Sequence, residues 1–156
     1  MILILKIARE ALQTEFRQIY MMGYDTWGKA ETKEAYLAEC QGSSKYQRGI
    51  WWVLSDQETL FSSLIVYNLE DNCLGIGSVA TDPIYRHKGH ASSLLKAFIE
   101  THSNDKLLLF SDIDPAFYEK IGFNKIHKDR QPYQGTTLMY YPQNFVVKDS
   151  QIPHYF

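Results

Sequence analysis

Between Cys73 and Phe110 the sequence changes period twice, and that change limits the fold more than any other feature. Cys73 to Thr81 reads as a strand. After Pro83, apolar residues recur at Ala91, Leu94, Leu95, Phe98 and Ile99, spaced i, i+3, i+4, i+7 and i+8, which predicts an amphipathic helix. Leu107 to Phe110 is a short apolar run with the pattern of a buried strand. Strand, helix and strand in that order imply a right-handed crossover and a parallel pair.

The flanking segments add antiparallel elements. Ile50–Leu54 and Leu60–Tyr67 are rich in β-branched and aromatic residues. Short turns at Asp56-Gln57-Glu58 and Glu70-Asp71-Asn72 join them to Cys73–Thr81, which predicts an antiparallel meander. Met1–Leu5 reads as a short buried strand, and Ala8, Ala11, Leu12, Phe16, Ile19 and Met22 suggest a helix over Ala8–Met22 that Gly23–Gly28 breaks. A second helix is expected from Thr32, as N-cap, to about Gly42. Pro115–Lys120 is expected to be helical, with Asp114 as N-cap and Gly122 as terminator. Phe123–His127 and Thr136–Tyr141 read as a final hairpin, and no pattern emerges after Pro142. The 156 residues carry no repeat or low-complexity linker, so residues 1–156 are expected to form one domain. Its class is α/β (α+β): a mixed, mostly antiparallel central sheet flanked by helices on both faces.

Composition narrows the function. The formal net charge is −2, with both signs spread along the chain, against the basic stripe of a nucleic-acid binder. The two cysteines, Cys40 and Cys73, have no C-x-x-C spacing, so neither a disulfide framework nor a zinc site is expected. His87 and His90 lie three apart, but no further ligands accompany them, and no metal is expected. Met1–Glu10 lacks the form of a signal peptide, and no stretch approaches the roughly 20 apolar residues of a membrane span. A cytoplasmic protein without a membrane partner is the expectation.

The segment Thr81-Asp82-Pro83-Ile84-Tyr85-Arg86-His87-Lys88-Gly89-His90-Ala91 ends a strand and opens a helix near Gly89. The first four N–H groups of a helix have no partner inside it, and the helix dipole adds about half a positive charge there. Here they belong to roughly Lys88–Ala91, a ready site for a phosphate or pyrophosphate. Gly89 permits close approach and an unusual φ, Ala91 is small, and Arg86 and Lys88 supply charge at the mouth. A plain helix start with solvated basic residues accounts for the same local pattern. Neither G-x-x-x-x-G-K-[ST] nor G-x-G-x-x-G is present.

At these residues the chain resembles the GNAT superfamily of acyl-CoA N-acyltransferases. Arg86-His87-Lys88-Gly89-His90-Ala91 is similar to the family's R/Q-x-x-G-x-G/A, and Val79–Tyr85 to its V-x-x-x-P-x-Y lead-in. Phe117-Tyr118-Glu119-Lys120-Ile121-Gly122-Phe123 is similar to its Y-E-K-x-G-F. His87 stands where a glycine is frequent, and His90 where an aliphatic or aromatic residue is. Asp112 lies near a position that many members fill with an asparagine contacting pantetheine; an ionised carboxylate cannot donate that hydrogen bond.

The resemblance implies an acetyl-CoA-dependent N-acetyltransferase. Pantetheine would pair with the main chain of Val79, Ala80 and Thr81, and the pyrophosphate would sit on the amides of Arg86, His87, Lys88, Gly89, His90 and Ala91, with Ser92 adding its hydroxyl. Tyr118 is the implied acid for the leaving thiolate, and a main-chain N–H around Val79–Thr81 the oxyanion donor. The acceptor is a small-molecule or peptide amine, and a homodimer is compatible with the family. Asp112, Glu31 and Asp25 are candidates for removing the amine's proton, and Tyr24 and Trp27 for lining its site. A non-catalytic acyl-CoA-binding module on the same fold, or a partner-binding protein using its tyrosines, are the alternatives.

Overall fold

The computed structural model describes residues 5–29 and 32–156. Two compact units emerge: one runs up to Ile65 and adds Ser78–Thr101, and the other comprises Val66–Gly77 and His102–Phe156. Seven strands follow the order β1-β2-β3-β4-β5-β7-β6: β1 Ile7–Glu10, β2 Ile50–Ser55, β3 Leu60–Asn68, β4 Cys73–Thr81, β5 Lys106–Ser111, β6 Asn124–Lys125 and β7 Thr137–Tyr141. β1 pairs antiparallel with β2, and β7 with both β5 and β6, whereas β4 and β5 are parallel, as the crossover requires. The sheet is therefore mixed, and with its helices gives the expected α/β fold.

In the first unit the expected helix over Ala8–Met22 begins only at Phe16. Ile7–Glu10 is instead the strand β1, laid against Trp52–Ser55. Its short apolar spacing fits either period, and the pairing decides. A fork of two hydrogen bonds joins Arg9 to Glu15, each 2.8 Å, and the Glu15 carboxylate also accepts from the Leu12 N–H. Together they turn the chain from β1 into a short 3-10 segment and then α1, Phe16–Met22. Leu5 is exposed rather than part of a buried strand, and the rest of that expected strand, residues 1–4, lies outside the described residues.

Gly23 ends α1, but the stretch expected to be a plain break forms one helical turn, α2, Tyr24–Trp27. The Trp27 ring lies where a side chain on Gly23 would go, and the Tyr24 ring where one on Gly28 would go. α3, Lys33–Gly42, starts as expected: the Thr32 hydroxyl accepts from the Ala35 N–H at 3.1 Å. A short α4, Ser44–Arg48, leads into β2.

The crossover helix α5, His90–Thr101, buries the face its sequence period marks. Leu94, Leu95 and Phe98 are fully buried, and the Phe98 ring meets Trp52 of β2 edge-on at 5.1 Å. At the start of α5, His90 is buried and stacks on Phe61 of β3 at 4.5 Å, with Tyr85 edge-on. His90 therefore fills an aromatic position. Burial, aided by the charges of Lys6 and Lys88, holds its imidazole below the usual histidine pKa.

In the second unit Cys73, Leu108, Ile126, Leu138, Phe145 and Val147 form the buried core. α6, Ala116–Glu119, is shorter than expected, but Asp114 does accept from the Ala116 N–H and Gly122 does close the turn with φ +121°. The final hairpin is also shorter, because β6 pairs with β7 only at Asn124 and Lys125. Beyond that point the Gln131 amide takes over, donating to the carbonyls of Ile126 and Leu138 and accepting from the Leu138 N–H.

Phe98→Ala should cost about 3–5 kcal/mol in equilibrium urea unfolding, the range for emptying an aromatic core site. A pH effect follows from His90. Its depressed folded pKa means that the unfolded chain binds the extra proton first, so stability is lost as pH falls below about 6.5. Thermal melts between pH 7.5 and 5.5 should show a larger fall in Tm for the wild type than for His90→Phe.

Candidate functional site

The ladder between β4 and β5 covers Cys73–Ile76 and Lys106–Leu109. β4 continues beyond it through Gly77 to Thr81, with Ser78 in the left-handed region at φ +48°. Val79, Ala80 and Thr81 are half-buried there. The Thr81 hydroxyl lies 2.7 Å from that of Ser62, and the Asp82 N–H donates to the Phe61 carbonyl at 2.9 Å, tying the strand end to β3. The Asp82 carboxylate then caps a 3-10 turn, Pro83–Tyr85, by accepting from the Ile84 N–H.

The loop that follows is shaped by two left-handed residues, His87 at φ +67° and Gly89 at φ +78°. A side chain other than glycine costs about 1–2 kcal/mol in that region, so His87 carries strain where the family frequently has glycine. The first bond of α5 runs from the Ser93 N–H to the Gly89 carbonyl at 3.0 Å. Upstream of it, the backbone N–H groups of Lys88, Gly89, His90, Ala91 and Ser92 find no hydrogen-bond acceptor among the described residues. A side chain on Gly89 would meet nothing within 4 Å, so the space beside Gly89 is open. His87, Lys88 and Gly89 are exposed, and Ala91 and Ser92 are half-buried. His90 points into the aromatic stack while His87 faces outward, so the two imidazoles part company. The concentration of unpaired donors at the positive end of a helix of 12 residues suits an anion of pyrophosphate size.

Arg86 corrects one expectation. Its guanidinium does not stand free at the mouth of this loop. Nε donates to the Thr81 carbonyl at 3.1 Å, Nη1 to Asp25 Oδ2 at 2.6 Å, and Nη2 to Asp25 Oδ1 at 2.9 Å and the Met22 carbonyl at 3.1 Å. The charge expected to face the anion is neutralised by Asp25, whose own pKa the guanidinium lowers. Asp25 is thus an ion-pair partner, not a spare base. Glu31, the other candidate acid near this turn, lies outside the described residues. No short-range signal marks the pair, because 61 residues separate its members.

The remaining two candidates belong to the second unit. Tyr118 on α6 is buried, 7% exposed, between Phe117 and Phe123. Burial first, and the nearby Asp112 carboxylate second, push its phenol up to about 12. The group is therefore held protonated at neutral pH. Asp112 is exposed and accepts a hydrogen bond from the Tyr155 hydroxyl at 2.5 Å. The Tyr155 backbone N–H donates in turn to the Tyr133 hydroxyl. Burial and this carboxylate raise the Tyr155 phenol to about 12 as well. Sequence reasoning missed Tyr155, since the segment after Pro142 carries no period.

Comparisons with known proteins agree with this fold. A model of the acetyltransferase (GNAT) domain matches residues 47–125, just over half of the chain, and spans the amide loop and α6. No curated protein matches the sequence. The fold is similar to the GNAT-family N-acetyltransferase YhbS of Escherichia coli in complex with CoA, at 15% identity and TM-score 0.66, covering 90% of this chain and 83% of that one. It is also similar to the ribosomal-protein-S18-alanine N-acetyltransferase of Escherichia coli, at 15% identity and TM-score 0.63, covering 92% and 100%. A spermidine N-acetyltransferase SpeG chimera from Vibrio cholerae and hSSAT shares 16% identity and TM-score 0.64, covering 88% and 95%. With its strand order, its open row of amides and the matched domain, the chain belongs to the GNAT family and is an acyltransferase whose co-substrate is acetyl-CoA.

Proposed function

We propose that this chain works as one domain that transfers the acetyl group of acetyl-CoA directly to a primary amine. The observation that carries the proposal is the unbroken row of amides from Lys88 to Ser92, at the head of α5, that have no partner among the described residues. These donors, with the backbone of Arg86 and His87 leading into them, would hold the diphosphate. The exposed Lys88 adds a positive charge, and the half-buried Ser92 a hydroxyl. The main chain of Val79, Ala80 and Thr81 would take the pantetheine arm, continuing the pairing of β4 beyond its ladder with β5. Asp112 would meet that arm only as an acceptor, because a carboxylate carries no hydrogen to donate; it already accepts from the Tyr155 hydroxyl. A cytoplasmic setting is part of the proposal; both cysteines are buried free thiols, which a reducing compartment preserves.

In the reaction a neutral amine attacks the thioester carbonyl carbon. The C–N bond forms, the C–S bond breaks, and one amine proton ends on the departing sulfur. A main-chain N–H in Val79–Thr81 would steady the oxyanion. Tyr118 would donate a hydrogen bond to the thiolate. Its pKa of about 12 against about 8.5 for an ordinary thiol makes complete transfer unfavourable, so the phenol serves best by sharing its proton. The same shift keeps it protonated through the working range, so its ionisation should take no activity away below about pH 10.

Three measurements test this. Acetyl-CoA at a hundred times its Kd should raise Tm by roughly 5–10 °C, because binding only the native state adds about 2.7 kcal/mol. Thiol release should appear with at least one amine from a panel of spermidine, an alanine-ended peptide, glutamate and a lysine peptide. Tyr118→Phe should lower kcat about a hundredfold with the KM for acetyl-CoA within about threefold. Coenzyme binding with no amine turned over would leave an acyl-CoA-binding module, and no binding at all would end the proposal.

A further inference from the structure

We propose that Arg86 is a positioning residue for the amine acceptor and not a side-chain ligand of the diphosphate. The inference rests on the acetyl-transfer reading for the identity of the acceptor, but its core is geometric and lies within the first unit.

A guanidinium has five N–H donors in a fixed planar fork. Those of Arg86 make four hydrogen bonds to three separate places: the carbonyl ending β4 at Thr81, the carbonyl ending α1 at Met22, and both carboxylate oxygens of Asp25 in α2. The Thr81 and Met22 carbonyls are both 3.1 Å from the same flat group, which therefore welds the α1–α2 turn to the end of β4. The bidentate arm to Asp25 fixes the angle of the turn as well as its distance. The turn is internally stiff. The Trp27 ring fills the space over Gly23, the Tyr24 ring fills that over Gly28, and Tyr24 packs on Tyr36 of α3 at 5.1 Å. It needs only an anchor to be placed, and Arg86 provides one.

What the anchor places is a pair of aromatic rings. Trp27 is 41% exposed, a large apolar surface for a turn. The far end of the same anchor is Thr81, the strand end whose neighbouring amides would steady the reacting carbonyl. An amine approaching that carbonyl would pass between the strand end and the turn, with Tyr24 and Trp27 as its wall. The face of an indole or phenol attracts a cationic amine before it loses its proton. A diphosphate competing for Arg86 would have to break four bonds, whereas the amides of Lys88–Ser92 have no partner among the described residues.

Asp25→Ala and Arg86→Ala should each raise the KM of whichever panel amine turns over by about tenfold. The kcat and the KM for acetyl-CoA should stay within about threefold. The double variant should be no worse than either single, since both remove one clamp. Arg86→Lys should not rescue, because an ammonium keeps the charge but loses the fork. Amide exchange across residues 22–28 should quicken in all of them and not in Lys88→Ala. Asp25→Asn, which keeps the volume and one acceptor oxygen, carries the same measurements should an alanine variant fail to fold. A tenfold loss of acetyl-CoA affinity in Arg86→Ala, with none in Asp25→Ala, would overturn the proposal by making the guanidinium a diphosphate ligand. Unchanged exchange and unchanged amine KM in both variants would overturn it too. A wild-type chain that neither binds acetyl-CoA nor acetylates any panel amine would instead remove the transferase reading and the acceptor role with it, while quickened exchange would still establish the clamp.

Discussion

Leu94, Leu95 and Phe98 have no exposed surface, and their burial fixes where α5 points. Everything proposed for the diphosphate depends on that direction. Unpaired amides at a helix start serve an anion only if they share one heading, and a helix free to rock would blur them. The edge-on contact of Phe98 with Trp52 holds the middle of the helix, and the stack of His90 on Phe61 holds its first turn. The same residue that opens the helix is thus packed as an aromatic while its backbone N–H has no acceptor among the described residues. Packing and donor display come from one position.

The basic residues of this loop divide their work. Lys88 stays exposed, while Arg86 is spent on Asp25 and two carbonyls. His87 accepts a left-handed backbone at a cost that a glycine would avoid. With one cation neutralised, the attraction for an anion rests mainly on the backbone. Backbone donors are fixed in place and cannot collapse onto a nearby carboxylate, so they remain available when side-chain charge does not.

In the second unit two phenols flank the Asp112 carboxylate's field, one through a hydrogen bond and one through space. Each is held in its protonated form by burial together with that negative charge. A buried Tyr118 that keeps its proton is a donor and not a base, which sets the direction in which it can help a reaction. Phe156 adds to this region by occupying the space beside Gly75, where a side chain would approach its ring to 2.7 Å. The stretch after Pro142, featureless in sequence, thereby supplies both a hydroxyl to Asp112 and a ring to the strand face.

By itself the sequence determined the elements whose cause is local. The period of Leu94, Leu95 and Phe98 marked α5, the Thr32 hydroxyl marked the start of α3, and Gly89 and Gly122 marked turns that need a positive φ. The amide loop was legible for the same reason, since a helix start creates its own unpaired donors. The error over Ala8–Met22 arose because a four-residue strand and a helical turn can share one short apolar pattern, and only pairing with Trp52–Ser55 separates them. Tertiary structure alone decided that Arg86 serves Asp25 and that Tyr155 serves Asp112, across 61 and 43 residues. Charge and hydrogen bonds act through distance in space, and no spacing along the chain encodes which distant carboxylate a guanidinium or a phenol will meet.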